Sequence, residues 1–146
     1  MMIQAMEMQA MEQAFVQRFA EVWKQPSPER LVALLHPDVV LYQPQSPAIR
    51  GKEAARREFE RLFRWLPDLC GEVERWCGAN GVVFIEWHMR FPIGRGLAIR
   101  AVDRFLLQEG LGIERAVYFN QLPLLTAIMS HPQVWPGFIH YRFGRG

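Results

Sequence analysis

A carboxylate stands where carboxylates are costly. Along Leu97 to Gln108 the side chains alternate with a period of two, placing Ala101, Asp103 and Phe105 on one side of a strand and Arg100 and Arg104 on the other. Val82 to Phe91 divides in the same way, with Ile85, Trp87 and Met89 set against Glu86 and His88. The apolar set must face a core, so Asp103 sits among aromatic side chains and has to be hydrogen-bonded or carry a raised pKa. Two uses fit that position. Asp103 is a structural acid, held by the indole N–H of Trp87 or by a helix-terminal amide, or it is a neutral carboxylic acid that donates a hydrogen bond to a ligand oxygen in a dry pocket.

Which residues meet across the two strands depends on the hairpin register. In one register Glu86 faces Arg104, Trp87 faces Asp103, Met89 faces Ala101 and Ile85 faces Phe105. Slipped by one residue, Glu86 faces Asp103, and directly opposed like charges are unfavourable. The first register is therefore expected, with Glu86, His88, Arg100 and Arg104 forming an outer polar layer or a subunit interface.

The remaining reactive side chains carry weaker signals. His36 and His131 precede prolines, His88 lies on the outer face and His140 lies in the tail, and no pair has the spacing of metal ligands, so no metal is expected. Cys70 and Cys77, in one extended strand, would stand roughly 23 Å apart at about 3.3 Å per residue and on opposite faces, too far apart to pair. Arg57, Arg61 and Arg64 are interleaved with Glu58 and Glu60, the pattern of a solvated helix face. Gly94-Arg95-Gly96 is a turn with no helix after it, which argues against a phosphate cradle.

The elements that must position these groups follow from periodicity. Gln4 to Lys24 carries Met8, Met11, Phe15, Phe19 and Val22 on one helical stripe, with Trp23 at its edge. Ser27-Pro28-Glu29 starts a short helix through Leu35, and His36-Pro37-Asp38 stops it. Val39 to Tyr42 reads as a strand. After Gly51 a third helix sets Ala55, Phe59, Leu62, Phe63 and Leu66 on one face and ends at Pro67. Four strands follow, at about Cys70 to Cys77, Val82 to Phe91, Leu97 to Gln108 and Gly112 to Gln121. Helices first and a meander afterwards describe an α+β fold with the helices on one face of the sheet. The tail from Pro123 to Gly146 is too apolar to stay in water and should dock on its own domain or on a partner subunit.

Composition limits what such a domain does. The 146 residues are one half hydrophobic, enough for a single globular domain. Seventeen basic against fifteen acidic residues leave a charge of +2, too small an excess for a nucleic-acid footprint. The opening Met-, Gln- and Glu-rich segment lacks the pattern of a signal peptide, and no window has the length of a membrane span, so a cytoplasmic protein without membrane or nucleic-acid partners is expected.

The segments FVQRFAEVW (15–23), LLHPDVVLYQP (34–44), GKEAARREF (51–59), AVDRF (101–105) and GIERAVYFN (112–120), in that order and spacing, resemble the nuclear transport factor 2-like superfamily, especially SnoaL-like polyketide cyclases and ketosteroid isomerases. The resemblance implies a cone-shaped roll of three helices on a curved, mostly antiparallel sheet, with a pocket between them and dimerisation through the outer sheet face. It also implies three isomerase positions, which fall on Phe19, Gln43 and Asp103. Phe19 has no hydroxyl and Gln43 cannot take a carbon-bound proton, so the isomerase proton shuttle is not expected. Cyclase relatives draw a carboxylate from the end of the sheet, where this chain reads Tyr118-Phe119-Asn120-Gln121. A hydrolase-like set would need Asp103 with Gln43 or Asn120.

The expectation is a protein that binds a hydrophobic or aromatic small molecule without a cofactor. Phe15, Phe19, Trp23, Gln43, Phe59, Phe63, Trp87, Phe105 and Phe119 would line its pocket, and Asp103 would polarise a ligand oxygen as in a divergent isomerase or cyclase. The alternative is a non-catalytic homodimeric interaction module with an incidental pocket.

Overall fold

The computed structural model describes residues 2–144. Helix α1 (Met2–Lys24) buries Phe15, Phe19 and Trp23, one side chain per turn along a single stripe, together with Val16. Trp23 is thus in the core and not at the edge of the stripe, whereas Met8 is exposed, as are the other residues of the first turns of α1. Helix α2 (Pro28–Val32) is capped by Ser27, whose hydroxyl accepts from the Arg30 N–H at 3.2 Å. It stops short of Leu35, which already belongs to strand β1 (Leu35–Tyr42). The expectation that His36-Pro37-Asp38 would separate helix from strand is corrected: these residues lie inside β1, where the pairing register shifts between Leu35 and Val40. An irregular stretch is where a strand tolerates a proline, which has no N–H for the ladder.

After the two-residue strand β2 (Ile49–Arg50) comes α3 (Lys52–Trp65), then β3 (Cys70–Ala79), β4 (Val82–Phe91), β5 (Leu97–Gln108) and β6 (Leu111–Phe119). The six strands form one sheet in the order β2-β1-β6-β5-β4-β3, antiparallel except for the parallel β1–β6 pair. Helix α1 crosses β3 and β4, α3 packs near β1 and β2, and the core fills the space between sheet and helices. This is the α+β fold expected from the sequence, with a mixed sheet.

The register of the β4–β5 hairpin differs from the expected one. Ile85 pairs with Asp103, Glu86 with Val102 and Trp87 with Ala101, a slip of two residues made by the five-residue turn Pro92–Gly96. Gly94 and Gly96 take positive φ in this turn, and the buried Ile93 anchors it. A slip of two preserves parity. Ile85, Trp87, Met89, Ala101, Asp103 and Phe105 are all buried on the inner face, and Glu86, His88, Arg100 and Arg104 lie on the outer one.

Bulges change parity elsewhere. In β3 the pairing skips Glu74, so Cys70 (opposite Arg90) and Cys77 (opposite Phe84) share the outer face and not opposite faces as the spacing suggested. Both cysteines are free.

The tail folds onto its own domain as α4 (Leu122–Ser130), a 3-10 turn (Pro132–Val134) and α5 (Trp135–Phe143). Trp65 of α3 packs against Phe138 at 5.4 Å and stacks on Tyr141 at 5.1 Å between centroids. The Trp135 indole donates to the Ile128 carbonyl at 2.6 Å. Arg61 is not on a solvated face: it donates to the Tyr141 carbonyl and so helps dock α5. Arg57 and Arg64 are exposed, as expected.

Candidate functional site

Between the open end of the sheet, α3 and the tail lies a cavity of about 190 Å³. Its floor is the inner face of the sheet, with Trp87 and Met89 from β4 and Arg115, Val117 and Phe119 from β6. Trp23, Phe59 and Leu62 form the helical wall, and Gln43, Pro44 and Gln45 from the loop after β1 form one rim. Leu124, Leu125, Ile128, Phe138 and Tyr141 come from the tail.

Of the expected pocket residues, Trp23, Gln43, Phe59, Trp87 and Phe119 line this cavity. Phe15, Phe19, Phe63 and Phe105 do not. The first two and Phe105 fill the narrow end as an aromatic cluster, with Phe15–Phe105 at 4.7 Å, Phe19–Phe105 at 5.7 Å and Phe19–Trp87 at 5.2 Å between centroids. Phe63 packs on Trp23 at 6.3 Å. Edge-on rings leave no room for a ligand at that end.

Asp103 is completely buried, and both of its oxygens are occupied: Oδ1 accepts from the Trp87 indole at 2.9 Å and Oδ2 from Arg115 Nε at 2.5 Å. The register explains this arrangement. Trp87 lies two residues beyond the partner of Asp103 on β4, and Arg115 two residues before its partner Val117 on β6, so the acid meets a diagonal neighbour on each side. The carboxylate is not among the groups that line the cavity, whereas Arg115 and Trp87 are. Asp103 is therefore set behind the cavity wall, and the guanidinium it holds is the polar group that reaches the cavity.

Arg115 was missed by sequence reasoning. Read outward from the two-residue turn Glu109-Gly110, where Gln108 pairs with Leu111 and Leu107 with Gly112, β6 would set Arg115 opposite Arg104 on the outer face. The pairing then skips Ile113, and Arg115 lands opposite Phe105 on the inner face, its guanidinium carbon 5.8 Å from the ring centroid. The repulsion of two directly opposed arginines was the available signal.

The buried Glu12 and the part-buried Glu58 were also missed. Glu12 of α1 accepts from the Gly81 N–H at 2.7 Å, tying the helix to the β3–β4 turn. Glu58 of α3 accepts from the Tyr141 hydroxyl at 2.5 Å at the rim. Burial, then the charge and hydrogen bond of Glu58, push the Tyr141 hydroxyl well above its ordinary pKa, so it stays protonated and donates. The histidines take local partners: His88 meets Glu74 at 3.0 Å on the outer face, and a ring nitrogen of His131 lies 2.8 Å from the Ala127 carbonyl. Among the described residues no three His, Cys, Asp or Glu side chains converge, and no helix is long and apolar enough to cross a membrane.

Helices on a mixed sheet around a cavity, with the floor supplied by the meander, define the nuclear transport factor 2-like architecture. Within it, the model of the SnoaL-like domain matches residues 16–114, and the chain belongs to that family. The matched span ends one residue before Arg115 and leaves out the tail helices. No curated protein matches the chain. A protein from Jannaschia sp. CCS1 described as a SnoaL-like polyketide cyclase is similar in structure, with a TM-score of 0.73 and 20% identity over 84% of this chain and 94% of that one. TerC, crystallised with polyporic acid, has a TM-score of 0.73 and 11% identity over 82% and 98% of the two chains. A protein with a ketosteroid isomerase-like fold from Catenulispora acidiphila DSM 44928, in complex with trimethylamine, has a TM-score of 0.70 and 14% identity over 77% and 90%. At these identities the likeness is one of fold.

Proposed function

We propose that the protein binds a hydrophobic or aromatic small molecule in the cavity above Trp87, with Arg115 rather than Asp103 as the polar group that meets it. The observation that carries this reading is a nine-tenths buried guanidinium set in an otherwise largely apolar wall. Arg115 is paired with Asp103 through Nε only and still forms part of the cavity wall, and a pocket with few, fixed polar groups is the usual form of a small-molecule site. Asp103 and Trp87 act here as positioning residues that fix the plane of the guanidinium. TerC, of similar fold and crystallised with polyporic acid, supports a small-molecule ligand by analogy of fold.

The test is a thermal-shift screen of hydrophobic small molecules against the wild type and Leu125→Trp, which places an indole at the cavity mouth. Binders should raise the melting temperature of the wild type and lose that effect in the variant. Stabilisation of equal size in both proteins, or none from any compound, would reject the cavity as the site.

A second reading rests on the outer sheet face, where Tyr42, Phe84, Leu106 and Tyr118 stand exposed among ion pairs. A second copy of the chain would cover them, making a homodimer that leaves the cavities facing outward. Sedimentation should show a dimer that Tyr118→Glu converts to monomer. A wild type that is monomeric up to high micromolar concentration would rule the dimer out.

A further inference from the structure

From the charge arrangement around Arg115 we infer that the ligand presents a neutral carbonyl-type oxygen to this site, and not a carboxylate or another anion; the inference rests on the ligand-binding reading of the cavity. Arg115 uses Nε on Asp103, and among the described residues nothing accepts a hydrogen bond from its Nη groups. These are the donors left for a ligand, since Arg115 forms part of the cavity wall while Asp103 stands behind it. A guanidinium with a free edge is the usual receptor for a carboxylate, and on the arginine alone an acidic ligand would be the natural choice.

Asp103 reverses that choice. Its carboxylate, 2.5 Å from Nε and with no solvent exposure, already neutralises the arginine. A second anion at the Nη edge would be attracted by the guanidinium and repelled by Asp103 across it. What remains must offset the loss of the anion's hydration in an apolar cavity, which is the larger quantity. Among the described residues no other buried cation lines the cavity to compensate, because Arg142 is exposed at the rim and donates to the Gln45 carbonyl. A ketone or quinone oxygen has little hydration to lose and still accepts a hydrogen bond from a charged donor in a dry site. The same arrangement holds the pair net neutral when the cavity is empty, which is how a lone arginine can be kept there at all.

The experiment uses three molecules of one shape: 2-acetylnaphthalene, 2-naphthoate and 2-isopropylnaphthalene, titrated calorimetrically into the full chain at pH 8. For the wild type the ketone should bind about 10-fold more tightly than the hydrocarbon, the gain from one hydrogen bond to a charged donor, and naphthoate should bind most weakly. In Asp103→Asn, where the arginine is no longer neutralised, naphthoate should gain at least about 10-fold and overtake the ketone. In Arg115→Met the ketone and the hydrocarbon should bind alike. Naphthoate binding tightest to the wild type, or a ketone advantage that survives Arg115→Met, would overturn the inference. The wild-type ranking decides the matter even if a variant fails to fold. Absence of binding by all three, the hydrocarbon included, would instead sink the ligand-binding reading itself.

Discussion

The two faces of the sheet handle charge in opposite ways. On the inner face, among the described residues, one ion pair, Asp103–Arg115, packs beside aromatic rings and is completed by the Trp87 indole. On the outer face charges come as a loose mesh: Glu72 with Arg90 at 2.9 Å, Glu74 with His88 at 3.0 Å and Arg100 at 3.4 Å, and Glu86 with Arg75 at 3.4 Å. The same strands carry both sets. Water and alternative partners surround each outer group, so loss of one neighbour leaves a solvated charge. Inside, Asp103 is fully buried and Arg115 nearly so, and each depends on the other as its counter-ion. The outer charges are redundant, whereas the two inner ones depend on each other.

The largest effect should come from breaking the inner pair on one side only. Arg115→Met leaves Asp103 buried and unpaired and should destabilise the fold by about 3–5 kcal/mol. The double variant Asp103→Leu/Arg115→Met, which removes both charges, should recover most of that loss in urea unfolding. A double variant no more stable than the single one would show that the pair does not act as a unit.

Next comes the support beneath the indole. A Cβ on Gly71 of β3 would fall on the six-membered ring of Trp87, so Gly71→Ala must displace the ring that donates to Asp103. A loss of about 1–3 kcal/mol is expected, as for other overpacked core sites, with a shifted Trp87 indole N–H resonance as its signature. An unmoved resonance would place the slack elsewhere.

Glu74 on the outer face provides the contrast. Desolvation by its neighbours raises its pKa, but the opposing pull of Arg100 and hydrogen bonds from Glu86 and His88 leave it lowered on balance. Glu74→Gln should nevertheless leave the unfolding midpoint close to that of the wild type, because exposed pairs contribute little. A loss as large as that of Arg115→Met would erase the distinction between the faces.

The smallest effect concerns the rim. Tyr141 has a folded-state pKa above the ordinary value of 10.0, so its contribution to stability is complete below about pH 10 and is lost at higher pH, where the unfolded chain ionises first. Tyr141→Phe should be less stable than wild type by about 1 kcal/mol at neutral pH, the worth of one hydrogen bond. That gap should narrow above pH 10 in unfolding curves measured at both values. A constant gap would mean that the hydroxyl is not held by Glu58.

Much of this was legible in the chain. The third helix and the strands β4 and β5 could be read from periodicity, because a packed face imposes its period on the residues that form it. Period two also sorted Trp87 and Asp103 inward and Glu86 and His88 outward, and that sorting outlasted a register error of two residues because parity did. Misreadings gathered where parity or continuity broke: the strand running through Pro37, the bulge at Glu74, the Pro92–Gly96 turn.

Sequence alone therefore determined the fold class, the inward position of Asp103 and its need for a partner. The Trp87 indole was among the partners expected for it and does donate to it, but only the tertiary structure decided that its charged partner is Arg115. The one-residue skip at Ile113 turns Arg115 from the face of Arg104 to the face of Phe105, and no local preference near residue 113 announces it. A bulge is settled by whole-sheet pairing: bringing a cation to the buried acid and keeping two arginines apart outweighs one unpaired residue in the ladder. The roof over the cavity was hidden for a similar reason. The apolar tail had to dock, but which surface it covers depends on Trp65, Glu58 and Arg61, which come together with it only in the folded chain.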